Sequence, residues 1–199
     1  MDSLPRVFLI RHGETEWSLS GKHTGRTDVP LTARGEERAR DVGTRLAGIT
    51  FARVLSSPRQ RATRTCTLAG LSATMEIREA LAEWDYGAFE GLVTAEIQAR
   101  QPNWNVFRDG APGGESPTEV AARADDVVRE LKTMSGAIAV FSHGHFLRAL
   151  AVRWIGEPIA TAHCLLLDTA AVSVLTFEHR RLDEPAIQLW NSTSGNLGG

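Results

Sequence analysis

The chain is poor in the features that would assign it to several whole classes of protein. It has two cysteines, Cys66 and Cys164, in 199 residues. They stand far apart and in no metal-ligand or redox spacing, which excludes a disulfide scaffold and a cysteine-built metal site. A pair of reduced, packed thiols is expected. No apolar run approaches the roughly 18 residues that a membrane span needs. Met1 to Pro5 also lacks the basic start and long apolar core of a secretion signal. The expectation is a soluble, cytoplasmic protein. Excess charge of one sign is missing too: the formal net charge is −2, too little positive charge for a general basic face against a nucleic-acid backbone. Any anion recognition must therefore be local. No repeat, linker or composition break is visible, and 42% hydrophobic residues suffice for one core, so residues 1–199 read as one domain.

What is present is an alternation of strand-like and helix-like segments, the pattern of a layered α/β domain. Val7-Phe8-Leu9-Ile10, bounded by Pro5 and Gly13, reads as a buried parallel strand. A polar loop, 14–30, follows. Thr32 caps a helix with Ala39, Val42 and Leu46 on one face, 52–55 returns as a strand, and Pro58 opens another helix. Met75-Glu76-Ile77 reads as a weak strand. Residues 83–115, rich in Gly, Pro and Trp, read as an excursion over the active edge that walls the site. Ser116 and Glu119 form a capping box around Pro117, followed by Val120, Ala124, Val127, Leu131 and Met134 at helical spacing. Then come a strand at 137–141, a helix carrying Phe146, Leu147, Leu150, Ala151 and Trp154, and a hairpin of 172–177 with 186–190. The tail, 191–199, is too small and polar to fold alone.

Three strand ends carry chemistry. Arg11-His12-Gly13 puts an imidazole beside a guanidinium at the carboxyl end of the first strand, where open α/β sheets bind ligands. Ser56-Ser57-Pro58-Arg59-Gln60-Arg61 places cations at a helix start, which favours anions. Ser142-His143-Gly144 repeats the opening pattern. Taken singly, His143 and His145 read as capped or core histidines and Glu83 as a loop carboxylate.

In order, RHGETEW at 11–17, HTGRTDVPLT at 23–32, SSPRQRA at 56–62, AEWDYGAFEG at 82–91, GGESP at 113–117 and SHGHFLR at 142–148 resemble the histidine phosphatase superfamily, in its phosphoglycerate-mutase-like branch. The resemblance covers essentially the whole chain. Its wording is nearest to small bacterial and fungal phosphatases, including acid phosphatases and sedoheptulose bisphosphatase-like enzymes. It implies a three-layer α/β/α fold with a mostly parallel central sheet. The implied activity is hydrolysis of phosphomonoesters of small metabolites through a phosphohistidine, with broad specificity and without metal or cofactor.

By the same resemblance Arg11, His12, Arg61 and His143 form the phosphate pocket, with His143 protonated and the arginines forking the phosphate. Glu83 is the proton donor; it has to start protonated, a form the neighbouring phosphate charge favours, so an acidic pH optimum follows. Ser18, where the mutases usually carry Asn, and Thr24, Gly25 and Gly144 meet the substrate. His145 orients the pocket without touching phosphorus, Glu14 braces its loop, and Arg59 faces solvent. Arg26, Arg100 and Arg108 read as surface charge, and His23, His163 and His179 as ordinary residues. A phosphoglycerate mutase is the alternative, disfavoured by the compact 83–143 segment and short tail; a non-catalytic phospholigand binder has no need of Glu83. A homodimer is expected by analogy alone.

Overall fold

Val7, Phe8, Leu9 and Ile10 are all fully buried, because both faces of their strand are covered, as a continuous apolar run requires. The computed structural model describes residues 4–198. Met1 to Ser3, on which the reading of a missing leader partly rests, and Gly199 lie outside the described residues. Strands β1 (Arg6–Arg11), β2 (Phe51–Ser56), β3 (Met75–Ile77), β4 (Ala137–Ser142), β5 (Val172–Phe177) and β6 (Pro185–Ser192) form one sheet in the order β3-β2-β4-β1-β5-β6. Strands β3, β2, β4 and β1 run parallel, and β5 is antiparallel to both its neighbours.

The helices are α1 (Glu16–Leu19), α2 (Ala33–Arg45), α3 (Gln60–Leu68), α4 (Thr94–Arg100), α5 (Val106–Asp109), α6 (Pro117–Lys132) and α7 (Gly144–Trp154). Alternate strand residues feed two cores. Val7, Leu9, Leu55, Ile138 and Val140 pack with α6, α7 and the 81–111 segment. Phe8, Ile10, Val54, Ala139 and Phe141 pack with α2 and α3 on the opposite face. This is the three-layer arrangement, with a period of two along each strand deciding which core a side chain enters.

Local signals hold where they depend on neighbours in sequence. Thr32 accepts the Gly35 N–H at 2.9 Å, and the Ser116–Glu119 capping box opens α6 with Pro117 in its first turn. They shift where a distant group intervenes. Helix α3 begins at Gln60, two residues after Pro58, with Arg59 as its N-cap; its Gln60 N–H is capped by Asp28 Oδ1 at 2.9 Å, from 32 residues away. The expectation of two packed thiols is half corrected. Cys66 is buried in the α2/α3 core and Cys164 is exposed; burial pushes the Cys66 thiol up to about 12. The 83–115 excursion is more than a cover, since Trp84, Tyr86, Phe89, Trp104 and Phe107 are themselves core. The tail is laid against the end of α2, where the buried Arg45 donates to the carbonyls of Ser192 and Gly195.

Candidate active site

Parallel pairing brings the three chemical strand ends to one edge. Arg11 is in register with Ser142 and Ser56 with Phe141, so the residues that follow, His12, Ser57 and His143, leave the sheet side by side. The His12 N–H bonds the Ser142 carbonyl at 3.0 Å and the Ser57 N–H the Phe141 carbonyl at 2.9 Å. The imidazoles of His12 and His143 lie 5.2 Å apart, centroid to centroid. The loop carrying His12 is held by backbone contact: a Cβ on Gly13 would lie 2.5 Å from the Gly35 carbonyl oxygen, and one on Gly35 would lie 2.2 Å from that of Glu14. Glu14 braces this loop as expected, accepting the Thr32 hydroxyl at 2.8 Å.

The tautomer of His12 is set by its neighbour in sequence. Its Nδ1 lies 2.7 Å from the Gly13 carbonyl, which can only accept, so the proton sits on Nδ1 and the lone pair on Nε2. Burial, then the Arg61 and Arg11 guanidiniums, hold the imidazole well below its ordinary range, in the neutral form. Arg11 donates from Nη1 to the Leu167 carbonyl, while its Nε is buried with no hydrogen-bond partner. A buried N–H without an acceptor is costly, and an anion beside His12 would satisfy it.

Arg61 and His143 take different work from that expected. Arg61, fully buried, donates to the carbonyls of Thr27, Thr24 and Gly25 and from Nε to His143 Nδ1 at 3.1 Å. With most of its five N–H groups engaged on protein, it fastens the 24–27 loop and sets the second imidazole. His143 receives that bond on Nδ1, so its proton is on Nε2, 2.7 Å from Ser57 Oγ. Burial and the nearby Arg61, His12, Arg11 and Arg59 keep it neutral, well below the ordinary range. Desolvation and three guanidiniums oppose a further charge on this imidazole.

Glu83 is placed by the Ser142 hydroxyl, which donates to the Leu81 carbonyl at 2.7 Å. Its carboxylate accepts three backbone N–H groups, from Trp84 and Phe146 on Oε1 and from His145 on Oε2. The last two belong to the first turn of α7, so Glu83 caps that helix as well as facing the cleft. The cleft, about 210 Å³, is lined by Arg11, His12, Ser18, Thr24, Glu83 and Gly144 among others. Gly25 is not on its wall: its N–H bonds the Glu90 carboxylate, and a Cβ there would lie 2.4 Å from the Trp84 carbonyl oxygen. Ser18 lines the cleft, with its hydroxyl tied to Thr15 in the capping box of α1.

Three residues, Ser57, His23 and Arg148, gain a place that the sequence did not give them. Ser57 holds His143. His23, read as ordinary, is buried and lines the cleft, and Tyr86 and Arg148 line it too. His145 also reaches the cleft wall, bonded through Nδ1 to the Tyr86 hydroxyl. Arg59 is partly buried, its Nε unpartnered. Arg26 and Arg108 are surface charges, paired with Asp85 and Asp109.

The buried imidazoles carry a pH signature. His12, His143 and His145 are each held well below the usual value of 6.5, burial being the first cause in all three. In the unfolded chain they titrate normally, so the folded state binds fewer protons below pH 6.5 and loses stability as pH falls from there toward the folded values. Each histidine contributes about 1.4 kcal/mol per pH unit over that window. Urea unfolding at pH 7, 6 and 5 should show a falling midpoint; a flat profile would contradict this burial.

A neutral imidazole lone pair, an arginine with an unsatisfied N–H and a cleft-facing carboxylate are gathered at the strand ends of an α/β sheet, an arrangement suited to receiving a phosphate group. The family model described as the histidine phosphatase superfamily, branch 1, matches residues 7–193, and the chain belongs to that family. An acid phosphatase of Mycobacterium tuberculosis is 43% identical over 87% of each chain. The sedoheptulose 1,7-bisphosphatase of Saccharomyces cerevisiae is 30% identical over 93% of this chain and 92% of its own. A solved structure of an open-reading-frame product of Mycobacterium tuberculosis superposes with a TM-score of 0.86, at 38% identity, over 94% of this chain and 96% of that one.

Proposed function

We propose that this phosphatase, a phosphoric monoester hydrolase acting on small phosphorylated metabolites, works through a phosphohistidine on His12. The observation that carries the reading is the His12 tautomer: Nδ1 bonded to the Gly13 carbonyl leaves Nε2 free toward the cleft. In the first step the Nε2 lone pair attacks phosphorus in line, the P–O ester bond breaks, and the leaving alkoxide takes a proton from Glu83. In the second, Glu83 takes a proton from water, the resulting hydroxide attacks phosphorus, and the P–N bond breaks to return neutral His12 and inorganic phosphate. The unpartnered Arg11 Nε supplies positive charge for the equatorial oxygens. Arg61, His143 and Ser57 form a fixed layer behind the nucleophile, and Ser18, Thr24 and Gly144 shape the entry.

The acid must start protonated and the nucleophile neutral. The depressed His12 keeps the nucleophile neutral at acidic pH, which supports an acidic optimum. The same reading places the enzyme in the cytoplasm, where sugar and acid phosphates are made, as one domain that pairs into a homodimer by analogy with its family. Release of inorganic phosphate from an aryl phosphate between pH 4 and 8 tests the reading; no turnover would remove it. A chelator such as EDTA should leave the rate unchanged within about twofold, because every charge in the two steps is met by protein groups. A loss of activity that added metal restores would show that an ion is required.

A further inference from the structure

Glu83 has no long helix or strand of its own to hold it. It lies between a single turn at Glu79–Leu81 and another at Gly87–Phe89, yet a proton donor works only within hydrogen-bond reach of the leaving oxygen. The chain leading into it is fixed by a side chain from the middle of α6. Arg123 Nη1 donates to the Ala80 carbonyl at 2.9 Å and to the Ala82 carbonyl at 2.8 Å, the latter belonging to the peptide bond that enters Glu83. With the Ser142 hydroxyl on Leu81, three successive carbonyls before the acid are held.

The rest of the same guanidinium governs the residues after the acid. Its Nε and Nη2 grip both oxygens of the Glu115 carboxylate, at 2.9 and 2.8 Å. Glu115 in turn meets Trp84 and Asp85 at three points. Its carboxylate accepts the Asp85 N–H at 2.9 Å, its carbonyl accepts the Trp84 indole N–H at 2.8 Å, and its own N–H donates to the Asp85 carbonyl at 2.9 Å. The flat guanidinium also lies over the Phe146 ring, 4.3 Å from the centroid, and the Phe146 N–H is one of the three that hold the Glu83 carboxylate. The Arg123 and Glu115 side chains are only 19% and 24% exposed, so water screens their pairing less than that of a surface pair. Neither residue lines the cleft, so whatever they do for the reaction passes through the acid.

We infer that Arg123, with Glu115 as its counterpart, is the positioning residue of the general acid: it fixes where the Glu83 carboxyl stands against the leaving oxygen, and so governs protonation of the departing alkoxide without touching substrate. This rests on the phosphatase reading, with Glu83 as proton donor. Lysine cannot take the same place. An ammonium is a point charge without a planar fork, and it cannot serve two carbonyls, both carboxylate oxygens and a ring face at once.

The test compares kcat/KM, which reports the step that expels the leaving group, for two esters: glycerol 2-phosphate, whose alkoxide needs the proton, and 4-nitrophenyl phosphate, whose phenolate departs without it. Arg123→Lys should lower the value for the glycerol ester about 10- to 100-fold and leave that for the aryl ester within about threefold. Glu115→Gln, which keeps the side chain's volume and loses the two-pronged bond, should act in the same sense, and it carries the test should the Arg123 variant not fold. Adding Arg123→Lys to Glu83→Gln should cost the glycerol ester no more than Glu83→Gln alone, because both changes act on one proton transfer. A residue that merely supports the fold would slow both esters alike and add its loss to that of Glu83→Gln. Either of those results, or no loss on the glycerol ester, overturns the positioning role and leaves the phosphatase standing. Failure of the wild type on both esters overturns the phosphatase reading, and this inference with it.

Discussion

Replacing His12 with alanine should lower the turnover of every phosphate ester on the order of 10⁴-fold or more. The size of the effect follows from the chemistry: without the imidazole no covalent intermediate forms, and water must attack the ester directly in a cleft arranged for another nucleophile. Neither His143 nor His145 can substitute, because His143 has both ring nitrogens engaged, by Arg61 and Ser57, and His145 is bonded to Tyr86. The check is rapid mixing with a phosphorylated substrate and an alkaline quench, which preserves a P–N bond. The wild type should show protein-bound phosphate and the variant none. Residual turnover within tenfold of the wild type would remove His12 from its role. Folding should be little disturbed, since the side chain's hydrogen bond is to its own neighbour, Gly13.

Glu83→Gln should have the second largest effect, and it should depend on the leaving group. Alkyl phosphates depart as strongly basic alkoxides and need the proton, so their hydrolysis should fall by about 10²- to 10⁴-fold. Aryl phosphates need it less and should be slowed much less in the first step. Equal losses on both would argue that Glu83 acts by shaping the cleft alone. A stability readout separates its two duties. Three N–H groups point at this carboxylate, and an amide must present its own N–H₂ to at least one of them, so the variant should lose about 1–2 kcal/mol at the start of α7. Glu83→Asp keeps the charge but shortens the reach, and should recover proton donation poorly for the same reason of placement.

Much of this site was legible because its strongest signals are local. The continuous run 7–10 announced a doubly covered strand, the capping residues Thr32 and Ser116 announced helix starts, and the ordered motifs announced His12, Arg11, Arg61, Glu83 and His143. What the chain did not disclose are contacts whose partner is a backbone atom far away. Arg61 is bound to the carbonyls of residues 24, 25 and 27, and a carbonyl has no residue type to read. The same holds for Glu83 on the α7 amides and for Arg148 on the carbonyls of 162 and 163. Helix α3 starts late because Asp28 caps it across 32 residues. His23 gave no warning, since a lone histidine between Lys22 and Thr24 in a polar loop has no periodicity to mark it as buried. The exposed Cys164 escaped for a related reason: burial of a thiol is decided by the turn that carries it, and Ile159–Cys164 is a short 3₁₀ helix whose last residue is exposed.

The two glycines that press the nucleophile loop against the start of α2 leave no space for any side chain at either position. Drift at those sites is closed to this lineage. The turn beneath Arg148, by contrast, ends in the solvent-facing Cys164 and Leu166, which can be exchanged freely. Selection can thus alter one edge of the molecule while the loop that carries His12 is inherited unchanged.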